Sequence, residues 1–307
     1  MRFISEEQSA ALISHEMAFQ AAREALVAAV ESGSAVFPAV IAHGSQLQNR
    51  FTVKAGSTQE LAGLKVGSFW PSNPGKGLPR HNSITLLFDQ DIGRIEWVIQ
   101  SGTVNAFRTA AVDAVATDLL ANPEAATIAI FGAGNQALYE CQAIARIRPI
   151  TRVLVVARDI AKGEQFAVNL AELGIAAELA DAEQACRAAD IVITATPSRT
   201  CLFEAEWIQP GTHISAMGSD AAGKQELPPS LFDRALLFCD LPAQSRTIGE
   251  YQHFDGDPAR IKAVGDLLLG RVPGRIDADD ITIFDSSGIS LQDLYTARHL
   301  IAAFEKS

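Results

Sequence analysis

The clearest chemistry in the sequence is a glycine-rich turn that could bind a dinucleotide. Residues 132–137 read GAGNQA and follow an apolar run, TIAIF, at residues 127–131. In a strand–turn–helix unit, the first glycine allows the tight turn, the second lets the backbone approach a pyrophosphate, and the small third residue lets the helix pack closely. The helix N-terminus then presents N–H groups to the phosphates. Cofactor contacts are therefore predicted for Gly132, Ala133, Gly134, Asn135, Gln136 and Ala137.

The end of the second predicted strand of this unit bears on the choice of cofactor. NAD-binding proteins usually carry an acid there that binds the ribose 2′-hydroxyl, whereas NADP-binding proteins tend to carry an arginine. Here the run at residues 152–156 is followed by Ala157, Arg158 and Asp159. Arg158 favours NADP, unless it is only a solvated loop charge, and Asp159 keeps NAD open. Both residues are predicted to contact the cofactor, with NADPH bound at least as well as NADH.

Composition narrows the classes of function. The chain has 307 residues, of which 48% are hydrophobic and 20% charged, as expected for a well-packed globular protein of two domains. Its net charge of −11 argues against a nucleic-acid partner, because phosphate binding needs a basic face. The N-terminus lacks a signal-peptide pattern and no apolar run approaches the roughly 18 residues of a membrane span, which predicts a soluble, cytoplasmic protein. The scattered cysteines predict reduced thiols and no metal site.

The first third of the sequence predicts a mixture of helices and short strands. A capping box at Ser5 predicts a short helix, and Gly33 is placed to end a longer one over residues 15–31. The predicted strands and connections that follow are 51–54, 84–88 and 95–99 (strands), 70–79 (a loop rich in glycine and proline) and 89–93 (a hairpin turn). An alanine-rich helix is predicted over residues 109–120.

The pattern of predicted secondary structure changes after Asn122-Pro123. The predicted strands are 127–131, 152–156, 189–194, 213–217 and 235–239, and the predicted helices are 137–147, 160–173 and 291–304. Strands that alternate with helices indicate a parallel, doubly wound sheet. We therefore predict an α/β protein with a first domain over residues 1–120, rejoined by residues 290–307, and a Rossmann-type dinucleotide-binding domain over residues 121–289.

The chain resembles the ornithine cyclodeaminase/mu-crystallin family over nearly its whole length. The resemblance is carried by Gly63-Leu64-Lys65, RTAA at residues 108–111, the GAGNQA turn, and GSD at residues 218–220 followed by GKQEL at 223–227. It implies homodimers whose first, α+β domain forms the dimer interface and the floor of the substrate site. It also implies small amino or imino acid substrates, with a hydride moved to or from a nicotinamide. KVGSFWP at residues 65–71 and PRHNS at 79–83 are most similar to the family's imine reductases, which act on pyrroline-2-carboxylate or iminosuccinate.

The resemblance also implies roles for single residues. Lys65 and Arg108 match positions that bind the substrate carboxylate, and Asp220 matches the catalytic acid or base. We expect these three residues, from both predicted domains, to converge near the nicotinamide ring. Lys65 and His81 are also predicted to take part in catalysis, His81 as a proton relay or a substrate contact. Lys54 is predicted as a further substrate contact if it shares a sheet face with the site.

Thr196 and Met217 complete the predicted cofactor contacts.

One departure from the family concerns a second carboxylate. The family often carries an arginine shortly after the position of Pro38, and Ile41 stands there in this chain. A substrate with two carboxylates would lose one counter-ion, which weighs against iminosuccinate. Lys224 could be structural or functional.

Each candidate has a plainer interpretation. Lys65 could be a surface lysine, and Arg108 a solvated charge in the first turn of the helix predicted after it. Asp220 could serve only to bond turn amides, and His81 could be an interior histidine. The leading hypothesis is an NAD(P)H-dependent reductase that converts a small α-imino acid, such as pyrroline-2-carboxylate or a related ketimine, to the L-amino acid. The alternatives are a cyclodeaminase-type lyase that recycles NAD, an iminosuccinate reductase, an alanine dehydrogenase, and a non-catalytic binding protein.

Overall fold

Serine side chains begin the first two helices, as the pattern at Ser5 indicates. In the computed structural model, which describes residues 1–307, the Ser5 hydroxyl accepts a hydrogen bond from the Gln8 N–H, and the Gln8 side chain accepts one from the Ser5 N–H. Ser14 caps the second helix in the same way through the Met17 N–H. These bonds satisfy N–H groups that a helix start leaves without partners. The predicted capping box is confirmed, and the helix predicted over residues 15–31 spans His15–Val30.

The first part of the chain contains β1 (Arg2–Ile4), α1 (Glu6–Leu12), α2 (His15–Val30), β2 (Ala35–Val36), β3 (Val40–His43), β4 (Arg50–Ser57), β5 (Ala62–Phe69), β6 (His81–Phe88), β7 (Ile95–Gln100) and α3 (Gly102–Leu120). The remainder contains β8 (Thr127–Phe131), α4 (Asn135–Ile144), β9 (Arg152–Val156), α5 (Ile160–Glu172), β10 (Ala177–Leu179), α6 (Ala182–Ala188), β11 (Ile191–Thr194), β12 (His213–Ala216), β13 (Ala235–Cys239), α7 (Pro242–Ile248), β14 (Ile261–Ala263), α8 (Val264–Leu268), β15 (Ile281–Asp285) and α9 (Ser290–Phe304). Short 3₁₀ helices span Asn73–Lys76, Ala205–Trp207, Pro229–Arg234, Glu250–His253 and Pro258–Arg260.

The chain divides into two compact units, residues 1–108 with 289–307 and residues 109–288. This division falls inside α3, whereas the sequence places a boundary near residue 121. The first unit is built on a sheet in the order β1-β7-β6-β5-β4-β2, with β3 also paired to β4. Adjacent strands of this sheet are antiparallel, except that β1 and β7 are parallel. Helix α9 packs on β4, β5 and β6 and against α2, so the C-terminal segment belongs to this unit.

The second unit contains eight parallel strands in the order β10-β9-β8-β11-β12-β15-β13-β14. The strand order reverses between β8 and β11, which is the switch point where such sheets bind ligands beyond their carboxyl ends. The predicted fold class is confirmed. The strands β8, β9 and β13 have the predicted bounds, whereas β11 begins at Ile191 rather than at residue 189.

Helix α3 begins seven residues earlier than predicted because a distant side chain caps it. The Glu6 carboxylate of α1 accepts hydrogen bonds from the Gly102 N–H at 2.8 Å and the Thr103 N–H at 2.7 Å. A carboxylate at a helix N-terminus is stabilised by those N–H groups and by the helix dipole. Arg108 therefore lies in the second turn of α3 and not in the first, as the sequence suggested. None of the helices combines the length and the apolar composition that a membrane-spanning segment needs.

Candidate functional site

The turn after β8 has the backbone that a dinucleotide requires. Gly132 has φ +116°, and a Cβ there would lie 2.8 Å from the Ala195 carbonyl oxygen, so only glycine fits. Gly134 lies at the N-cap of α4, where no side chain caps the helix and a Cβ would meet nothing within 4 Å. Ala137 is fully buried against the strand. The open approach at Gly134 and the uncapped N-terminus of α4 fit a pyrophosphate group.

The turn after β9 carries the two residues predicted to contact the ribose of the cofactor. Arg158 is exposed, and the Asp159 carboxylate caps α5 by accepting from the Lys162 N–H at 3.2 Å. Asp159 also forms an ion pair with the Lys162 ammonium at 3.1 Å. A groove of about 240 Å³ beside Gly134 is lined in part by Lys162 and Phe166. The carboxylate of Asp159 is therefore already engaged by its own helix, and Arg158 is the exposed cation at this strand end.

Thr196 contacts a buried glutamate rather than offering its polar atoms to a ligand. Its N–H and its hydroxyl both donate to Glu226 Oε1 at 2.7 Å, and Glu226 Oε2 accepts from Thr194 and from the Gly218 N–H. Glu226 is fully buried, and that burial raises the pKa of its carboxyl. Glu226 thus joins the segment after β11 to the loop after β12. Met217, also a predicted cofactor contact, is buried at the end of β12.

Asp220 lies in the loop after β12, with its side chain 58% exposed. The Lys224 ammonium donates to Asp220 Oδ1 at 2.6 Å and to the Gly218 carbonyl at 2.9 Å. Further along the loop, the Glu250 carboxylate accepts from the Glu226 N–H at 2.8 Å and the Leu227 N–H at 3.1 Å. Lys224 therefore orients Asp220, and buried carboxyls fix the rest of the loop.

A buried ion cluster in the first unit contains two of the predicted residues. Lys65 on β5 is 4% exposed, and its ammonium donates to Asp293 Oδ1 at 3.0 Å and to the Asn105 side-chain oxygen. Arg108 on α3 is 8% exposed and donates to Asn105 at 2.8 Å and to the Gln292 side chain at 3.0 Å. Its Nε lies 3.0 Å from Asp293 Oδ1 without hydrogen-bond alignment, so that contact is an ion pair only. The structure thus brings Lys65 and Arg108 together around one carboxylate.

The electrostatics of this cluster keep Asp293 charged and make Lys65 titrate near neutrality. Burial lowers the pKa of Lys65 to about 7, and the Arg108 guanidinium adds to that effect, while Asp293 opposes it. Burial alone would raise the pKa of Asp293, but Arg108 and Lys65 hold it below its ordinary value. Asp293 Oδ2 is buried and has no hydrogen-bond partner within the protein. The Lys65 amine can therefore gain or lose a proton at physiological pH.

His81 begins β6 on the same sheet face as Lys65. Burial, followed by the charges of Lys65 and Arg108, lowers the pKa of His81 to about 4. A Cβ on Gly67 would lie 3.3 Å from Thr52 Oγ1, 3.6 Å from His81 Nε2 and 3.7 Å from Lys65 Cε. The missing Cβ leaves a small depression with these three groups around it. His81 is neutral at pH 7, so it can exchange hydrogen bonds there but cannot serve as a cationic acid.

Lys54 shares this face, as the sequence hypothesis required. It lies directly opposite Lys65 in the register of β4 and β5, and directly opposed residues of antiparallel strands point to the same side. Lys54 lowers the pKa of Lys65 and also that of Asp293, so its charge reaches both groups. Ile41 of β3 pairs with Thr52, two residues from Lys54 along β4.

The sequence reasoning missed Asp293, the carboxylate that balances the cations. Asp293 lies in the first turn of α9 between the fully buried Leu291 and Leu294. An acid flanked by core leucines at a helix start is a detectable signal, because such acids are rarely buried unless they are paired. Its partner Lys65 is 228 residues away, so the pairing itself could not be read from local sequence.

The parallel sheet with its switch-point glycine turn places the second unit in the Rossmann-type class. The chain belongs to the ornithine cyclodeaminase/mu-crystallin family, whose model matches residues 6–306. This confirms the resemblance described above. An iminosuccinate reductase of Paracoccus denitrificans is 34% identical over 310 residues, covering 98% of this chain and 96% of that protein.

Solved structures agree with this assignment. The crystal structure of the iminosuccinate reductase of Paracoccus denitrificans in complex with NAD+ has a TM-score of 0.93 and 32% identity, covering 100% of this chain and 97% of that one. A Thermococcus litoralis Δ1-pyrroline-2-carboxylate reductase in complex with NADH and L-proline has a TM-score of 0.92 and 25% identity, covering 100% and 98% of the two chains.

Proposed function

We propose that the protein is an NAD(P)H-dependent reductase that converts a small α-imino acid to the L-amino acid. The observation that carries this proposal is the pair of buried cations, Lys65 and Arg108, held around the single carboxylate of Asp293. Two buried cations with one shared anion favour an anionic ligand, because unpaired buried charge is costly. The relatives that reduce iminosuccinate and pyrroline-2-carboxylate support the same class of substrate.

The dinucleotide would be held by the turn after β8 and the N-terminus of α4. Gly132 and Gly134 supply the tight backbone, and the exposed Arg158, just beyond β9, would contact the ribose or its 2′-phosphate. When it is bound, the reduced nicotinamide supplies the hydride that adds to the imine carbon. The protein must then fix the face of the imine and deliver a proton to its nitrogen.

In this proposal, Lys65 and Arg108 bind the substrate carboxylate. Asn105 accepts a hydrogen bond from each of them, which fixes both side chains before a ligand arrives. A carboxylate bound by two oriented cations would lose its rotational freedom, so the imine carbon would meet the hydride donor in one orientation.

In this proposal, Asp220 donates the proton to the imine nitrogen. Its side chain is more than half exposed and oriented by Lys224, so it can exchange protons with water between turnovers. Lys65 is the second proton source, since a group with a pKa of about 7 both holds and releases a proton at physiological pH. His81, neutral in this range, would contribute a hydrogen bond.

A panel of imines generated from 2-oxo acids and ammonia, together with pyrroline-2-carboxylate, tests the proposal. Loss of the absorbance of NADH or NADPH, with formation of the matching L-amino acid, is the expected result. Release of ammonia from ornithine or lysine with no net change in nucleotide would instead identify a cyclodeaminase. An Arg108→Ala variant serves as the negative control, and Arg146→Ala, an exposed arginine of the second unit, is the matched comparison.

A further inference from the structure

Two buried carboxyl groups close to the dinucleotide turn take no part in the proposed reaction. Asp113 of α3 and Glu140 of α4 are both fully buried, and their carboxyls lie within hydrogen-bonding reach of each other. Acids are rarely buried side by side, because desolvated like charges repel each other. Two carboxyls that share one buried site cannot both ionise, so one of them carries a proton. Asp113 and Glu140 are called the acid pair below.

Asp113 has one carboxylate oxygen that the rest of the protein satisfies and one that it does not. Its Oδ1 accepts hydrogen bonds from Thr117 Oγ1 at 3.2 Å and from the Ser215 hydroxyl. Its Oδ2 is buried and receives no hydrogen bond from an N–H or hydroxyl group. Leaving a buried acceptor unsatisfied is costly. A proton shared with Glu140 would remove that cost, and burial favours this proton because it raises the pKa of the Asp113 carboxyl.

Glu140 joins the acid pair to the dinucleotide turn. Gln136, the fifth residue of the GAGNQA turn, donates its Nε2 to Glu140 Oε1 at 2.6 Å. Gln136 lies in the first turn of α4, whose N-terminus has no side-chain cap and fits a pyrophosphate. The position of the helix start is therefore tied to Glu140.

Ser215 joins the acid pair to the parallel sheet. It lies on β12, next to the switch-point strand β11, and the loop after β12 carries Asp220. The acid pair thus connects α3, α4 and β12 at one buried point. Repulsion between two charged carboxyls at this point would push α4 away from α3 and from the sheet.

The other titratable groups around the acid pair keep one protonation state between pH 6 and 9. His213, which contacts Ser215 at 3.3 Å, is neutral there because burial lowers its pKa to about 3. Cys141, the neighbour of Glu140 on α4, stays protonated because burial raises the pKa of its thiol far above the ordinary value. The arginines that act on His213 keep their charge throughout, and they are Arg275 and Arg148. The proton of the acid pair is therefore the ionisation that can change at this point.

We propose that Asp113 and Glu140 hold one proton between them and thereby fix α4, with its dinucleotide turn, in the orientation that binds the nucleotide. Both are positioning residues, since they act through Gln136 and the backbone of α4. When the proton is lost, the two carboxylates repel each other, and the added negative charge also opposes the pyrophosphate. Nucleotide affinity should therefore fall as pH rises. The inference rests on the nucleotide binding of the proposed function and not on which imine is reduced.

The first test is the pH dependence of NADH binding, measured by fluorescence titration between pH 6 and 9.5 without an imine. NADH is used because the 2′-phosphate of NADPH itself titrates near pH 6. The Kd of the unmodified protein should rise about tenfold or more over this range. Asp113→Asn supplies a permanent N–H in place of the proton, while its oxygen still accepts from Ser215 and Thr117, so its Kd should change less than about twofold. Glu172→Gln, an exposed acid of α5, is the control and should follow the unmodified protein.

The second test combines two amides. Glu140→Gln alone should also keep NADH affinity at pH 7, because its amide N–H can donate to Asp113. In Asp113→Asn with Glu140→Gln, both amide oxygens are held by their present donors, so two N–H groups face each other without an acceptor. The Kd at pH 7 should then be about 10- to 100-fold above that of either single variant. A role in packing alone would leave all three variants alike, since their shapes are the same.

Circular dichroism shows whether each variant folds, and the pH profile of Asp113→Asn decides the matter if the double variant does not. The inference is wrong if Asp113→Asn and the unmodified protein lose NADH affinity in parallel, or if a folded double variant binds as tightly as the single variants. Either result leaves the proposed reaction standing. If the NADH titrations follow the expectation but no imine is reduced, the role of the acid pair is supported and the proposed reaction is wrong.

Discussion

The two units of the protein bury charged groups in opposite ways. In the first unit, Lys65 and Arg108 share the carboxylate of Asp293, so this buried cluster holds two cations and one acid. In the second unit, the buried groups around the Asp220 loop are carboxyls, among them Glu226 and Glu250, and their partners are backbone N–H groups and hydroxyls. One unit concentrates charge, and the other uses carboxyls as hydrogen-bond acceptors.

Protonation makes the difference clear. Burial raises the pKa of Glu250 to about 8 and that of Asp285 to about 8, so both carboxyls are largely neutral at pH 7. In the first unit, the neighbouring cations hold the pKa of Asp293 below its ordinary value, so it stays charged. Neutral carboxyls organise loops without the cost of a buried ion. Retained charge is expensive, which is why the proposed function places the substrate carboxylate at the Lys65 and Arg108 cluster.

Removing the buried Asp293 carboxylate of the first unit should have the largest effect on stability. Asp293→Asn leaves Lys65 and Arg108 buried without their counter-ion, which typically costs about 3–5 kcal/mol of unfolding free energy. Urea unfolding at pH 7 measures the loss, with Asp233→Asn, an exposed acid of the second unit, as the control. A loss below about 1 kcal/mol would contradict the view that Asp293 balances the cluster.

Arg108→Ala should mainly weaken substrate binding. The arginine is 8% exposed, so a substrate carboxylate left without it would lose a desolvated charge pair worth about 2–5 kcal/mol. The KM of the preferred imine should therefore rise about 30-fold or more, with nucleotide affinity little changed. Steady-state kinetics with the matched Arg146→Ala variant measures this. An unchanged KM would show that the carboxylate binds elsewhere.

Asp220→Asn tests the one exposed carboxylate that the sequence assigns to catalysis. The variant should keep substrate and nucleotide affinity but lower kcat by about a hundredfold or more, because the amide cannot deliver a proton. Asp255→Asn, at an exposed position of the same unit, is the control. Undiminished turnover would move the proton transfer to Lys65, whose pKa of about 7 suits it.

Local signals predicted much of the fold and the nucleotide turn. The strands before and after the GAGNQA turn are short apolar runs, and the first is followed directly by Gly132, so their bounds follow from nearest neighbours in the chain. Strand β5 was not predicted, because Gly63 and Gly67 weaken its strand pattern and its pairing with β4 and β6 on both sides determines it. The glycine positions are themselves tied to close packing, since a Cβ at Gly67 would come within 3.3 Å of Thr52 Oγ1.

The predicted carboxylate-binding residues were found by resemblance, and their partners were not. Lys65 and Arg108 carry family patterns in their immediate neighbours, whereas Asp293 reaches them only through the packing of α9 on the sheet. The early start of α3 was hidden for the same reason, since its cap, Glu6, is far away in sequence. Contacts between distant segments are therefore the part of this site that periodicity and motifs do not encode.

A smaller effect, on nucleotide affinity, is expected at Arg158, an exposed cation of the second unit. Arg158 lies just beyond β9 and is exposed, in contrast to the buried arginine of the first unit. If it contacts the 2′-phosphate, Arg158→Ala should raise the Kd of NADPH about tenfold relative to that of NADH, the loss of one charge-assisted contact. Fluorescence titration with both nucleotides measures the ratio, and Arg152→Ala, at the start of β9, is the control. Equal weakening of both nucleotides would exclude a role for Arg158 in reading the phosphate.

The last prediction concerns the neutral carboxyls of the second unit and their dependence on pH. Asp285 has a pKa of about 8 in the folded protein, chiefly through burial, against about 3.8 when unfolded. A raised folded pKa means that the native state binds this proton more tightly, so the stabilisation is complete below pH 3.8 and is lost as pH rises through 8. Between pH 7 and 9 the group should cost the protein about 1 kcal/mol of unfolding free energy. Asp285→Asn keeps a neutral side chain of the same shape, so its stability should fall less over that interval than that of the unmodified protein. Asp255→Asn should follow the unmodified protein, and urea unfolding at pH 7, 8 and 9 measures all three. If the Asp285→Asn and unmodified curves fell in parallel, Asp285 would already be charged at pH 7, and the second unit would retain buried charge as the first unit does.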